Sequence, residues 1–431
     1  MVFIFYFCVL KFIKTLYWAL YYYYYYHGIL LKKLHNYKIP NIYLNWIKNF
    51  LSDRFQKVLV GNCYSYPTPV ISGVPQGSVL ATLFFIIFIN DLPKSINCLN
   101  SQLLTFADDT KITSKISSSE DQINLQHNLN SIVGWSKANN MVLNNNKFEV
   151  LSHRLSTKKS ANLTLFKELP FSESPYMYYA DTLPLYCTNL VRDLGIFFDN
   201  ELSWNSHLNI IHKKSKQLSS WILHTFHTRN KTVMLMLFKS LVRSKLEFGC
   251  EIWNPYLKKD IVLIEQVQRV FTSRISFMRD LNYWQRLKIL QLMSLQRRRE
   301  RAIIIYVWKI IHNVYPNSIN LNFKTQTRIN ALRAIIKPLP RVQGRLLTVF
   351  DNSFEIQAAR LWNVLPPSLT WVDSLSLFIS KLDKFLWLIS DEPPLPGYPH
   401  KNNNSLTEQK LPWQISKCLS ASVLVYFLLY F

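Results

Sequence analysis

The chain has 431 residues, too many for one small core, and its 49% hydrophobic and 14% aromatic residues are enough to build two or three folded domains. Its 50 Lys and Arg residues against 26 Asp and Glu residues give a formal net charge of +24, which would repel itself unless an anionic partner is normally bound. This composition excludes a globally disordered chain and favours nucleic acid as the partner over an anionic membrane surface.

The six cysteines lie far apart and show neither the CxxC spacing nor the Cys/His spacing of a zinc site. This distribution indicates a reducing compartment, so we expect an intracellular protein of the cytoplasm and nucleus that is not secreted and binds no zinc. The apolar ends, residues 1–10 and 419–431, are each shorter than the ~20 residues that span a bilayer. A membrane anchor is therefore not expected, and the sequence does not predict an oligomeric state.

Residues 1–26 differ in composition from the rest of the chain. They contain no acidic residue, and they end in six consecutive tyrosines, Tyr21–Tyr26. Such a homopolymer has no helical or strand periodicity, so we interpret 1–26 as a low-complexity segment.

Residues 27–200 have the pattern of one α+β domain. Apolar residues at helical spacing predict helices over 41–51, 79–90 and 120–139. Apolar segments predict paired strands over 55–60 and 63–70, and two more short strands flank Ala107-Asp108-Asp109. A strand–helix–strand–strand order of this kind is typical of a ferredoxin-like split βαβ sheet.

From about residue 200 onward the pattern becomes helical. Apolar residues recur every three or four positions with Lys and Arg between them, which predicts helices over 202–227, 232–248, 261–275, 283–313, 352–362 and 374–386. We divide this part into a helical domain 201–300 and a further helical region 301–390. Prolines and the run Asn402–Asn404 mark 391–431 as a linker followed by an apolar tail.

The sharpest motif is Phe106-Ala107-Asp108-Asp109. Two adjacent carboxylates at a tight turn repel each other unless a cation is bound nearby. Two-metal nucleotidyl transfer needs carboxylates at such a place, because Mg²⁺ prefers oxygen ligands and two ions bracket the attacking and leaving oxygens. Asp is also common in surface turns, so the pair taken alone favours an ordinary hairpin.

A glycine-bearing loop earlier in the chain favours a catalytic role for the acidic pair over an ordinary hairpin. Only nine glycines occur in the sequence, and two of them, Gly73 and Gly77, flank Pro75 and Gln76. Glycine lets the backbone approach a ligand closely, and glutamine offers both a donor and an acceptor. A simple loop before a helix explains the glycines and the proline, but it does not explain their pairing with an acidic hairpin.

The ordered series of motifs resembles the reverse transcriptases of the jockey-like branch of non-LTR (LINE) retrotransposons. Gly73–Ser78 is similar to the template- and nucleotide-contacting loop of that family, and Phe106–Asp109 is similar to the FADD form of its metal-binding turn. The resemblance spans roughly residues 27–388. Further similar segments are His27–Leu34, Trp46–Arg54, Phe88–Pro93, Trp135, Asn146-Lys147, Leu194–Asp199, Trp204–Trp253, and Ala359–Leu369 with the helix after it.

The resemblance implies an RNA-directed DNA polymerase with a palm over 27–200, whose fingers are largely missing, and an all-helical thumb over 201–300. It implies Asp108 and Asp109 as catalytic, metal-binding residues and Lys147 as a catalytic cation near the leaving pyrophosphate. Lys147 is by residue type equally compatible with a solvated lysine after an Asn-rich turn.

The same resemblance implies a set of partners and contacts. An intact family member uses two Mg²⁺ (or Mn²⁺) ions and acts on an RNA template, a DNA primer and a dNTP. The residues that would contact the template and the nucleotide are Gly73, Pro75, Gln76, Gly77, Phe106 and Ala107.

One departure from the family concerns its first acidic motif. The family has an aspartate on a strand before His27, and the matching positions fall near Tyr17 and Tyr23. Neither is acidic, and the first acidic residue of the chain is Asp53. We therefore expect an N-terminally truncated copy with impaired catalysis, because a missing metal ligand leaves the reacting oxygens poorly aligned.

Two basic runs are candidate nucleic-acid contacts. Lys213, Lys214 and Lys216 lie in the thumb-like part, and the resemblance favours contact with template and primer. Arg297, Arg298 and Arg299 form the densest basic run, which is equally typical of a solvated helix face.

Three hypotheses therefore remain open. The first is an active RNA-directed DNA polymerase. The second is a non-catalytic remnant that binds RNA or an RNA–DNA hybrid without extending it. The third, which rests on the apolar ends, is a membrane-associated product of a spurious gene model.

Overall fold

The chain divides into two units, Met1–Ser203 and Trp204–Phe431, in a computed structural model. The structure describes residues 4–11, 25–70, 72–75, 77–96, 100–141, 143–144, 147–153, 177–314, 325–326, 335–336, 353–396 and 404–409. The first unit mixes helices and strands and the second is mostly helical, in agreement with the predicted α+β class.

The described residues of the first unit begin with a strand and contain four α-helices. Its strands are β1 (Ile4–Lys11), β2 (Phe55–Gln56), β3 (Leu59–Val60), β4 (Cys63–Tyr64), β5 (Thr68–Pro69), β6 (Ser101–Phe106), β7 (Asp109–Ile116), β8 (Glu149–His153), β9 (Tyr178–Ala180), β10 (Leu183–Leu185), β11 (Cys187–Thr188), β12 (Leu190–Asp193) and β13 (Ile196–Asp199). Its helices are α1 (Tyr25–Asn36), α2 (Asn41–Leu51), α3 (Val79–Ile89) and α4 (Ser119–Ala138), with a 3₁₀ turn at Leu92–Ser95. The helices predicted over 41–51, 79–90 and 120–139 are confirmed.

Five strands form the main sheet, in the order β11-β8-β1-β7-β6. The pairs β6–β7, β7–β1 and β1–β8 are antiparallel, and β11 joins β8 in parallel. Strand β1 therefore lies in the centre of the sheet, although the sequence predicted no strand within 1–26.

Helix α4 covers the sheet through one apolar stripe. Leu125, Leu129 and Ile132 recur at helical spacing and pack with Ile112 and Ile116 of β7 in one buried cluster. Ser118 begins the helix with a capping box, because its hydroxyl accepts from the Asp121 amide at 3.3 Å while Asp121 accepts from the Ser118 amide. The cap fixes where the helix starts after β7.

The helices α1, α2 and α3 form a second, smaller cluster. Leu30 and Leu34 of α1 pack with Ile47 and Leu51 of α2 and with Phe84 of α3. Helix α3 begins at the Ser78 cap, where the hydroxyl accepts from the Ala81 amide at 3.2 Å. This cluster therefore fixes the end of the loop that carries Gly73 and Gly77.

The second unit consists mainly of helices. They are α5 (Asn205–Thr225), α6 (Lys231–Leu237), a π-helical stretch (Phe238–Arg243), α7 (Ser244–Glu247), α8 (Cys250–Trp253), α9 (Lys258–Thr272), α10 (Tyr283–Leu290), α11 (Leu295–Ile311), α12 (Phe354–Val364), α13 (Pro367–Thr370) and α14 (Leu375–Trp387). The short strands β14 (Thr325–Gln326) and β15 (Ile335–Ile336) pair with each other.

Two of the predicted long helices are interrupted. The helix predicted over 232–248 changes to π geometry at Phe238–Arg243. The helix predicted over 283–313 ends at Leu290, because Gln291 takes a left-handed conformation with φ +51° and Ser294 then caps α11. Apolar periodicity continues across both breaks, so it could not reveal them.

The segment after α14 is not the linker that its composition predicted. Asp391 accepts from the Ser294 amide at 2.6 Å and from the Ser294 hydroxyl at 2.7 Å. The Asn404 side chain donates to Asp391 at 2.8 Å, and Leu406 is fully buried. Residues 391–396 and 404–409 therefore belong to the folded second unit.

Among the described residues, no helix is both long enough and apolar enough to cross a membrane. The apolar tail 419–431 and the tyrosine run Tyr21–Tyr24 lie outside the described residues.

Candidate active site

The two candidate catalytic carboxylates lie on a tight hairpin. Strands β6 and β7 pair up to Phe106 opposite Asp109, so Ala107 and Asp108 form a two-residue loop. Ala107 has a left-handed φ of +51°, and hairpins of this length require such a conformation. Asp108 and Asp109 are half-buried, while Phe106 is exposed. Both carboxylates are therefore accessible at the tip of the hairpin.

Strand alternation separates the site face of β7 from its core face. Thr110 and Ile112 are buried, whereas Asp109 and Lys111 are half-buried on the other face. Asp109 and Lys111 thus share the face of β7 that does not contribute to the buried core.

The central strand β1 contributes no carboxylate to this site. Its sequence, IFYFCVLK, contains neither Asp nor Glu, and Lys11 is the residue in register with Asp109. Tyr17 and Tyr23, which match the acidic positions of the resembling family, lie outside the described residues. In the register of the sheet, a basic residue therefore stands directly across from the second aspartate of the turn.

Lys147 lies at the same end of the sheet as the carboxylate turn. It is exposed, its amide donates to the Asn144 carbonyl at 2.9 Å, and β8 begins two residues later at Glu149. Glu149 is in register with Val9 of β1. Val9 lies two residues before Lys11, which is the residue in register with Asp109. The start of β8 is therefore near the strand end that carries Asp109. The prediction that Lys147 lies near the site is compatible with this register, whereas its catalytic role remains a prediction.

The glycine-bearing loop is anchored at its first glycine. The Gly73 carbonyl accepts from Nε2 of His27 at 3.0 Å and from Nη2 of Arg54 at 3.3 Å. Gly73 and Gly77 have φ of +74° and +90°, which other residues adopt only with strain. Gln76 lies outside the described residues.

His27 is the donor in its hydrogen bond to the Gly73 carbonyl. Burial lowers the pKa of His27, and the Arg54 guanidinium lowers it further, against the opposite effect of the hydrogen bond to Gly73. A neutral imidazole can donate its Nε2 proton to the Gly73 carbonyl. The segments that resemble the family at His27 and Arg54 therefore hold the loop in place.

A second set of resembling residues forms a scaffold around Asp91. Its carboxylate accepts from Nζ of Lys33 at 2.8 Å and from the Trp135 indole at 3.1 Å. The Lys33 ammonium also lies over the rings of Phe88 and Trp135, at 4.5 and 4.9 Å from their centroids. This cluster ties α1 to α3 and α4, so these residues support the site without being part of it.

The residues present do not fit a complete two-ion site. Two divalent ions bring four positive charges and need several carboxylate ligands. Asp108 and Asp109 come from one turn, and the described residues contain no group of three or more His, Cys, Asp or Glu side chains arranged to hold a metal. The strand in the centre of the sheet would be the next source of a ligand, and it has none.

Sequence reasoning missed one ion pair beside the site. Nζ of Lys111 lies 2.6 Å from Oδ2 of Asp193, and Asp193 is buried. Strand alternation could have placed Lys111 on the face of Asp109. Nothing in the sequence links Lys111 to Asp193, because their contact depends on how β12 packs in the folded unit.

The predicted basic contacts of the second unit divide into two groups. Lys213, Lys214 and Lys216 of α5 are exposed. Arg297 and Arg299 of α11 are 0% exposed, and Arg298 is half-buried in an ion pair with Glu247. The interpretation of Arg297, Arg298 and Arg299 as nucleic-acid contacts is therefore wrong for the two buried residues and unsupported for Arg298.

Comparison with known proteins identifies the class. Residues 26–221 match the family described as reverse transcriptase (RNA-dependent DNA polymerase). These residues contain the anchored glycine loop, the carboxylate hairpin and the segment around Lys147. This part of the chain is therefore similar to a reverse transcriptase domain.

The relatives define the type of reverse transcriptase. The chain is 25% identical over 321 residues, 71% of its length and 32% of the relative, to the RNA-directed DNA polymerase from mobile element jockey of Drosophila melanogaster. It is 23% identical over 261 residues, 58% of its length and 27% of the relative, to the "Probable RNA-directed DNA polymerase from transposon X-element" of the same species. The chain is thus similar to polymerases of mobile elements, and it spans about a third or less of the length of these two curated relatives.

Proposed function

We propose that this chain is an RNA-directed DNA polymerase domain protein that binds an RNA template with a DNA primer and extends that primer poorly or not at all. The first unit serves as the polymerase palm, and the part of the helical second unit up to residue 300 serves as the thumb. We infer the kind of substrate from the related polymerases. We infer the loss of activity from the composition of the carboxylate site.

The strand order of the first unit supports the assignment of a palm. Apart from α1, α2 and the short strands β2–β5, which stand between β1 and α3, the elements β1, α3, β6, β7, α4 and β8 run as β-α-β-β-α-β. Their strands lie side by side as β8-β1-β7-β6. The carboxylate turn between β6 and β7 and the approach to β8 lie at one end of this sheet. A nucleotide and a primer end bound there would meet Asp108, Asp109 and Lys147 together.

The proposed loss of catalytic activity rests on one observation: the central strand β1 contains neither Asp nor Glu. In two-metal nucleotidyl transfer, divalent ions supply the charge that activates the primer hydroxyl and stabilises the leaving pyrophosphate. Asp108 and Asp109 can bind a cation from one side only. Lys11 is the residue in register with Asp109, so the adjacent strand places no carboxylate residue opposite the turn.

Nucleic-acid binding does not depend on the missing carboxylate. Phosphate contacts by Lys and Arg release counterions, so their contribution survives when the metal site is incomplete. The net charge of +24 and the exposed α5 lysines favour such binding. The β12–β13 hairpin, which resembles the primer grip, would support the primer strand.

The salt dependence of binding tests this proposal. We expect the full chain to bind a fluorescein-labelled RNA–DNA primer–template with an affinity that falls steeply with salt. Replacing Lys213, Lys214 and Lys216 together by Gln should make the negative slope of log K against log salt shallower by about two to three. The reason is that each phosphate contact contributes about −0.9 to that slope. A triple variant with the wild-type slope would contradict the thumb assignment, and a wild-type chain that does not bind would contradict the proposed function.

A further inference from the structure

The ion pair between Lys111 and Asp193 connects two parts of the first unit that are far apart in sequence. Lys111 lies two residues after Asp109 on the same face of β7. Asp193 ends β12, directly before the turn that leads into β13. Because Nζ of Lys111 lies 2.6 Å from the Asp193 carboxylate, the β12–β13 hairpin is held next to the strand that carries the second aspartate.

The hairpin itself has a sharply defined shape. Leu194 and Gly195 both have positive φ, +45° and +94°, as required for a two-residue turn that matches the twist of its strands. The register runs from Leu190 opposite Asp199 to Asp193 opposite Ile196. The ion pair therefore attaches to the end of a hairpin whose register is defined along its whole length.

The two faces of β12 have different environments. Val191 and Asp193 are buried toward the unit, where Val191 packs with Leu151 of β8. Arg192 is exposed on the other face, with its guanidinium 5.8 Å from the centroid of the Phe197 ring. The inward anchor Asp193 and the outward cation Arg192 are adjacent residues, so movement of one displaces the other.

We propose that Lys111 is a positioning residue: its ion pair with Asp193 holds the β12–β13 hairpin beside the carboxylate turn, so that Arg192 contacts the phosphate backbone of a bound primer–template. This inference rests on the proposed function, since it requires nucleic acid at the turn. Lys111 touches no nucleic acid itself. Its effect on binding passes entirely through Arg192.

A mutant cycle tests this coupling in the full chain. The probe is an RNA template annealed to a DNA primer with a recessed 3′ end, and binding is measured by anisotropy at several salt concentrations. We expect Lys111→Met and Arg192→Gln each to weaken binding roughly fivefold and to lower the salt slope by about one. The double variant should bind no more weakly than Lys111→Met alone, because the second change removes a contact already lost.

Two further variants separate positioning from loss of folding. Lys111→Arg should bind within about twofold of the wild type, since it keeps the charge partner of Asp193. Lys115→Met, on the same face of β7 but at its other end, is the matched control and should leave binding unchanged. If Lys111→Met unfolds the protein, the exchanged pair Lys111→Asp with Asp193→Lys should recover both folding and binding.

The outcomes distinguish this inference from the proposed function. Additive effects of Lys111→Met and Arg192→Gln, or wild-type affinity of Lys111→Met, would overturn the positioning role while leaving primer–template binding intact. Failure of the wild-type chain to bind the probe would overturn the proposed function and this inference together.

Discussion

Ala107 shows how the backbone of the carboxylate turn is constrained at the scale of one residue. Its φ of +51° lies in the left-handed region, where a Cβ approaches the following carbonyl. The hairpin needs that conformation so that Asp108 stands at the tip, between Phe106 and Asp109. The turn therefore presents its carboxylates at the expense of local stability.

Replacing Ala107 should reveal this strain. We expect Ala107→Gly to change the free energy of unfolding by less than about 1 kcal/mol, because relief of strain offsets the extra freedom of glycine in the unfolded chain. Ala107→Val should destabilise by about 1–2 kcal/mol, since a β-branched residue tolerates positive φ poorly. Urea unfolding of both variants measures the difference, and a Val variant as stable as the Gly variant would contradict the strained turn.

Single residues also mark the limit of prediction from sequence. Asp108 and Asp109 could be found because their chemistry is local, as an acidic pair at a turn between apolar strands. The partners of His27, Arg54 and Lys111 could not be found, because each contact joins residues that only the folded chain brings together.

At the scale of elements, helix α11 is the clearest failure of a sequence pattern. Its run Arg297–Arg299 suggested a solvated basic face. Two of these arginines are instead buried among fixed partners: Arg297 donates to the Ser390 and Asn404 carbonyls at 2.9 and 3.2 Å, and Arg299 donates to Asn254 at 3.0 Å. Charge density along a helix does not reveal which side other segments will cover. Here Ser390 and Asn404 contact Arg297, and Asn254 contacts Arg299.

The two basic runs should respond to mutation in opposite ways. Arg297→Met should lower the free energy of unfolding by about 3 kcal/mol or more, since it leaves buried polar partners unpaired, and should leave the salt slope of nucleic-acid binding unchanged. Lys213→Gln, on exposed α5, is the matched control and should lower the salt slope with little effect on stability. Thermal unfolding together with salt-dependent binding checks both, and a stable Arg297→Met variant with a reduced slope would contradict the burial.

Strand β1 is one element that the sequence pattern did not predict. The tyrosine run dominated the interpretation of 1–26, although Ile4–Lys11 is an apolar, β-prone segment. A strand in the centre of a sheet is specified by neighbours on both sides. The pairing partners β7 and β8 lie about a hundred residues later or more, so local pattern alone did not assign it.

At the scale of the whole molecule, the helical unit contains a buried histidine that links its stability to pH. His207 is 1% exposed, and its ring lies 5.2 Å from the Trp253 ring, centroid to centroid. Burial lowers the pKa of His207 to about 4. Between pH 6.5 and 4 the unfolded chain therefore binds a proton that the folded unit does not.

This difference predicts the direction of acid destabilisation. The His207 contribution to stability is fully present above pH 6.5 and is lost as the pH falls toward 4, by up to about 3 kcal/mol. Urea unfolding of the wild type and of His207→Phe, followed by tryptophan fluorescence at pH 7.5 and pH 4.5, isolates this contribution. The wild type should lose more stability than the variant over this interval, and an equal loss in both would contradict the buried neutral histidine.

The most direct test of the central claim is primer extension. The full chain is given an oligo(dT) primer on a poly(rA) template with dTTP and either Mg²⁺ or Mn²⁺, and compared with its Asp108→Ala variant. Because β1 supplies no carboxylate beside Asp108 and Asp109, both proteins should bind the primer–template and give the same background extension. Extension by the wild type that clearly exceeds that of Asp108→Ala would show a competent metal site and would contradict this account.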